Sequence, residues 1–228
     1  MHGSRHLLAA LLLGLAACQS PSGSSQSTTA SVASSSYIDA NGMLPVQHSS
    51  MPHEISEAGD YRHVGSGMVL PTESHGFRRV DLAGFNADDT DVSANYRLTG
   101  KRAILTVYIF PVWAWADRAY HVSEVPEVCK DIFEGMKQAV EYRSKSPKLL
   151  REEDQPSSRF ADAALSRSAF YDAAGDKVSG MDEPVRSELH ASCGVAKIWI
   201  VQYRISYLQG DNMDAVSRDF MAAVPLVP

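Results

Sequence analysis

A chain of 228 residues, 44 % hydrophobic and 8 % aromatic, holds enough apolar side chain for a packed core and is not disordered throughout. Its 21 basic and 27 acidic side chains give a formal net charge of −6. That argues against nucleic acid as a partner, because phosphate binding needs clustered Lys and Arg.

The chain opens with Arg5 and then an apolar run, Leu7 to Ala17, well short of the ~20 residues that span a bilayer as a helix. A basic start, an apolar centre and small residues at the end have the layout of a secretory signal over residues 1–17. The boundary, Leu15-Ala16-Ala17-Cys18, resembles the lipobox of bacterial lipoproteins. The resemblance implies cleavage before Cys18, a diacylglycerol on its thiol and a further acyl chain on the new amino terminus. Small side chains at Ala16 and Ala17 let a peptidase reach the bond, and only a thiol gives the thioether. Two or three acyl chains hold stably where one is marginal, at ~0.8 kcal/mol per buried CH₂. Gln19, where lipoproteins kept in the inner membrane often carry aspartate, leans the resemblance towards the outer membrane, facing the periplasm. The alternative is an ordinary signal cut after Ala17, leaving Cys18 as a free thiol, an odd feature in an oxidising compartment.

Residues 18–68 read as a flexible tether. The stretch from Gln19 to Ser36 is serine-rich without apolar periodicity, and the chain stays irregular to about Val69, its last part able to lie on the domain. As a coil such a segment reaches roughly 40 Å. His48, His53, His63 and His75 fall in or beside it, but their spacings of 5, 10 and 12 fit no metal-ligand pattern, so they read as solvated loop residues.

Residues 69–228 read as one α+β domain. Residues 77–98 are a hairpin around "NADDTD", in which Asp88, Asp89 and Asp91 lack the glycine and glutamate of a calcium loop and so expose carboxylates on a turn. Ile104 to Phe110 is a near-continuous β-branched run, a central strand ended by Pro111. Val125, Val128, Cys129, Ile132, Met136 and Val140 form a helical stripe to about Tyr142, with Ser123 as N-cap and Pro126 in the first turn. A polar connector leads to strands around residues 159–181, then to "VRSELHAS" and "AKIWIVQYRISYL", with Trp199, Val201, Tyr203, Ile205 and Tyr207 on one side. A helix from about Asp214 closes the chain with Val216, Phe220 and Val224 in line.

Strands, helix, strands, helix without βαβ alternation predict an antiparallel sheet with two helices packed on it. In element order the arrangement is similar to the PsbP-like α/β/α sandwich. The stretches "GFRRVDLAGFNADDTDVSANY … TVYIFP" and "IWIVQYRISY" also resemble a group of uncharacterised bacterial secreted proteins. Neither resemblance carries a catalytic residue over.

Enzyme motifs are missing. Ser66 in "HVGSGM" lacks nucleophile-elbow spacing, and there is no phosphate-cradling loop, no HExxH and no cofactor motif. His190, Cys193 and Cys129 can be read as a thiolate–imidazole site, as metal ligands, as buried thiols, or most simply as one disulfide between Cys129 and Cys193 in an oxidising compartment. Trp113 and Trp115, with Tyr120, lie past the central strand and are the candidate partner-binding rim, against the alternative that the tryptophans fold back over the core. The expected function is a membrane-anchored periplasmic accessory or binding domain with an envelope protein partner. A small hydrolase-like enzyme and an envelope-stability protein are the rivals. An enclosed pocket of converging polar groups would favour the enzyme.

Overall fold

The sheet grows outward from the chain's most apolar segment. Strand β3 (Ala103–Pro111) lies between β2 (Val92–Leu98) and β7 (Trp199–Leu208), so its β-branched residues find partners on both sides. Strand β1 (Phe77–Gly84) pairs with β2, while β6 (Val185–Val195), β5 (Leu165–Ala173) and β4 (Lys148–Asp154) continue beyond β7. The order is β1-β2-β3-β7-β6-β5-β4, antiparallel throughout. This computed structural model describes residues 37–45, 51–114, 118–155, 160, 162–177 and 180–224. Cys18 and Trp115 lie outside them, as do the signal segment and the serine-rich stretch.

Helix α1 (Val125–Arg143) and helix α2 (Asp214–Ala223) lie on opposite faces and over opposite halves of the sheet. Through Cys129, Phe133, Met136 and Val140, α1 buries the face of β6 and β5 that carries Val185, Leu189, Ala191 and Cys193. On the other face Phe220 of α2 meets Phe77 and Tyr96 edge-on. None of the helices among the described residues is long and apolar enough to cross a membrane.

Three expectations change. First, the tether does not extend to residue 68. Leu44, Tyr61 and Met68 are buried in the core, His53–Glu54 pairs with β1, and Tyr61–Arg62 pairs with Val69–Leu70. These side chains have no periodicity of their own; the sheet face supplies their apolar surroundings. Second, the cap of α1 moves upstream. The His121 ring accepts the Ser123 N–H at 3.2 Å, while the Glu124 carboxylate takes the His121 N–H at 2.8 Å, over a 3₁₀ turn at Val122–Glu124. Third, the polar connector contains edge strand β4, whose sequence does not alternate. Its ladder to β5 and the bonds that Lys137 and Arg167 make to Glu152, both at 2.6 Å, hold it in place.

Candidate functional site

The half of the inner face away from α2 carries a hydrogen-bonded relay. Ser168 of β5 stands directly opposite His190 of β6, and Glu188 is the next residue on the same side of β6. Ser168 Oγ lies 2.7 Å from His190 Nδ1, and His190 Nε2 lies 3.0 Å from Glu188 Oε2. Tyr207 Oη donates to the other carboxylate oxygen at 2.5 Å. With an ionised Glu188 as acceptor, the neutral ring carries its proton on Nε2, so Nδ1 accepts from the serine. Burial pushes Glu188 up, but the bonds from His190 and Tyr207 win and hold it below the usual carboxylate range. Burial and the bond to Glu188 raise the Tyr207 phenol.

Serine, imidazole and carboxylate in that order are the parts of a hydrolytic triad, with the ring nitrogens exchanged. The surroundings do not fit that use. Ser168 is 0 % exposed, so no substrate carbonyl reaches its oxygen. It also sits within β5, paired to β4 and β6, where the ladders engage the backbone amides that an oxyanion hole would need. The relay ties three strands together.

On the outer face α1 covers β6 and β5, and among the described residues no helix packs over β1–β3. A polar row crosses this open half. Asn95 Nδ2 donates to Asp81 at 2.7 Å, Thr106 Oγ1 donates to Asn95 at 2.6 Å, and Arg204 of β7 stands opposite Thr106. Half-buried Tyr108 and Gln202 flank the row. The segment between β5 and β6 folds onto its edge, where Asp176 accepts from Arg204 Nη2 at 3.2 Å and from Ser206 Oγ at 3.1 Å. Burial, with repulsion from Arg143 behind it, lowers Arg204 to about 10.

The residues singled out in the sequence separate. Cys129 and Cys193 form a disulfide, with Cα atoms 5.6 Å apart. His190 is three residues from Cys193 on a strand and therefore points to the opposite face, so no thiolate–imidazole pair exists. Trp113 is 2 % exposed and packs with Tyr37 and Trp199, which removes it from any binding rim. Tyr120 is half-buried beneath Arg118, 4.3 Å from ring centroid to guanidinium carbon. His63 is in the core, His53 bonds Asp89 at 2.8 Å and His75 bonds Ser74, so these histidines do not converge. His48 lies outside the described residues. Asp88 accepts from Thr90 and Asp89 from His53, while Asp91 is partly buried and pushed up by burial to about 7. The alternation of β5 and β6 held the signal for the relay, but which strands are neighbours did not show in the sequence.

The fold is thus that of a sheet-dominated α+β domain with one closed polar relay and one open polar face. No protein-family model and no curated protein matches the chain. Among solved structures it is similar to the Ran-binding protein Mog1p of Saccharomyces cerevisiae, at 11 % identity over 70 % of this chain and 79 % of that one, with a TM-score of 0.34.

Proposed function

We propose that this protein is a lipid-anchored accessory or binding domain of the bacterial cell envelope, and that it captures its partner on the open half of the sheet. The observation that carries the binding reading is the contrast between the two polar sites. Among the described residues the one set of groups arranged like reactive chemistry is sealed, while the outer face beside α1 leaves Asp81 exposed and Asn95, Tyr108 and Gln202 half-buried over the buried Thr106 and Arg204. Partly exposed polar and aromatic groups on a rigid sheet suit recognition. The envelope reading is supported by the Leu15–Cys18 motif together with the Cys129–Cys193 bond, which suits an oxidising compartment. Anchorage through Cys18, in the outer membrane and facing the periplasm, follows from the same motif.

A photo-crosslinking residue placed at Tyr108 or Gln202 of the full chain, in intact cells, tests the surface. A discrete adduct is expected there and none from Lys130 on the outer side of α1. Equal capture from all three positions, or none, removes the open face from consideration. Cys18→Ser should shift the protein from the detergent to the aqueous phase; identical partitioning overturns the lipid anchor.

The relay favours a second reading, a hydrolase opened by a partner. Covalent labelling of Ser168 by a fluorophosphonate in intact cells, where the partner is present, would establish it, and its absence there would remove it.

A further inference from the structure

One end of the domain collects apolar and basic side chains on its surface. Among the described residues six large apolar side chains are exposed, and three of them, Tyr142, Leu149 and Leu150, fall in one short stretch at 50, 42 and 41 % exposure. That stretch, Tyr142 to Arg151, holds four basic residues and no acidic one, in a chain of net charge −6. A fifth cation comes from the turn between β5 and β6. Gly175–Asp176 pairs with Ser144–Lys145, which carries Lys177 to the end of α1. There Lys177 Nζ donates to the Tyr142 carbonyl at 2.7 Å and stands 5.4 Å from the centre of the Tyr142 ring.

The backbone turns these groups outward. Arg151 stands opposite Phe170 and Leu149 opposite Tyr171, so Leu150 is an extra residue, a bulge in β4. A regular strand sends neighbouring side chains to opposite faces, whereas the bulge leaves both leucines in water. Lys145 is paired with Asp182 and Arg151 with Glu153, but Lys148 and Lys177 have no acid partner among the described residues. Asp172, which stands opposite Lys148, is taken by Arg186 at 2.9 Å.

We infer that this end of the domain, with Tyr142, Lys145, Lys148, Leu149, Leu150 and Lys177, is a membrane contact that rests on the headgroup layer of anionic phospholipid. Aromatic and leucine side chains enter the boundary between headgroups and acyl chains, while lysines lay their aliphatic stems alongside and keep the ammonium at the phosphates. A protein partner fits less well, because lysine is depleted at protein interfaces. The contact rests on the envelope reading and is independent of the partner. It lies at the β4 edge, and the open half over β1–β3, towards the other edge, stays uncovered.

The test uses the full chain with Cys18→Ser, so that no acyl chain contributes, and an environment-sensitive fluorophore on Leu150→Cys. Asp131→Cys, exposed on α1, carries the same label as a reference. The chain is titrated with vesicles of phosphatidylcholine, alone or mixed with phosphatidylglycerol. A saturable blue shift at Leu150→Cys is expected with the mixed vesicles, weakening as salt rises, and none at Asp131→Cys. Lys145→Gln with Lys148→Gln should leave the fold intact and weaken the affinity roughly 30-fold, the effect of two basic residues near an anionic surface. No shift at Leu150→Cys, an equal shift from the reference or from phosphatidylcholine alone, or an unchanged affinity in the double variant overturns the contact. A discrete protein adduct from a crosslinking residue at Leu150 in intact cells, without any response to vesicles, would make this end a protein contact instead. Failure here leaves the anchor standing, because detergent partitioning of Cys18→Ser reads the anchor separately.

Discussion

Cys129, on the inner side of α1, is bonded to Cys193 of β6, so the first helix is covalently fastened to the strand it packs on. Both cysteines are buried, and they close a loop across 64 positions of sequence. On the chain-entropy view such a bond contributes roughly 4 kcal/mol, less where the unfolded chain keeps structure. The double variant Cys129→Ala/Cys193→Ala should therefore unfold many degrees below the parent, and reductant should lower the parent's midpoint only after slow exposure of the bond. A parent whose melting ignores reductant under exchange conditions would speak against it.

Gly65 tests whether the stretch before residue 69 belongs to the domain. A Cβ there would stand 2.2 Å from the ring of Trp199, which is fully buried and has no room to yield. Gly65→Ala should cost about 1–3 kcal/mol, as overpacking does. In a free tether the same change would be silent, so an unchanged urea midpoint refutes the packing.

Trp113→Ala should cost about 3–5 kcal/mol, because it empties the space between Tyr37 and Trp199. Chemical denaturation measures it. A loss well under 1 kcal/mol would return Trp113 to the surface.

His63 and Asp91 give opposite pH dependences. The His63 ring accepts the Ser66 N–H at 3.0 Å on Nδ1, faces the Thr90 carbonyl at 3.2 Å through Nε2 and is held down to about 4 by burial. An unfolded histidine protonates near 6.5, so this contribution is full above that value and is lost as pH falls to about 4, on the order of 3 kcal/mol. Asp91, raised to about 7, favours the folded chain below pH 3.8 and loses that effect as pH rises through 7. The His63 resonances should stay those of a neutral ring down to pH 5. Asp91→Asn should gain stability relative to the parent between pH 4 and 7, and a constant difference across that range would contradict the assignment.

Ser168→Ala leaves His190 Nδ1 without its partner in a buried setting, which should cost about 1–3 kcal/mol. Partner crosslinking from Tyr108 should persist. Loss of crosslinking with stability intact would move the function into the relay.

Periodicity determined much of this architecture directly. The β-branched run around Ile104–Phe110, the stripe through Cys129 and Val140 and the alternation from Trp199 to Tyr207 each state their own element, because a strand repeats every two residues and a helix every 3.6. The hairpin at residues 77–98 was legible for the same reason. Tertiary structure alone decided what is set by contacts between distant segments. Leu44, Tyr61 and Met68 carry no periodic signal and are ordered by the sheet they land on. Strand β4 shows charge instead of alternation, since it is an edge held by its ladder and by ion pairs. Trp113 turned inward because Tyr37 and Trp199 wait there. Ser168 and His190 are 22 residues apart, and Thr106 and Arg204 far more, so only strand register makes them neighbours. Register is a property of the whole sheet, whose hydrophobic faces have to be buried together.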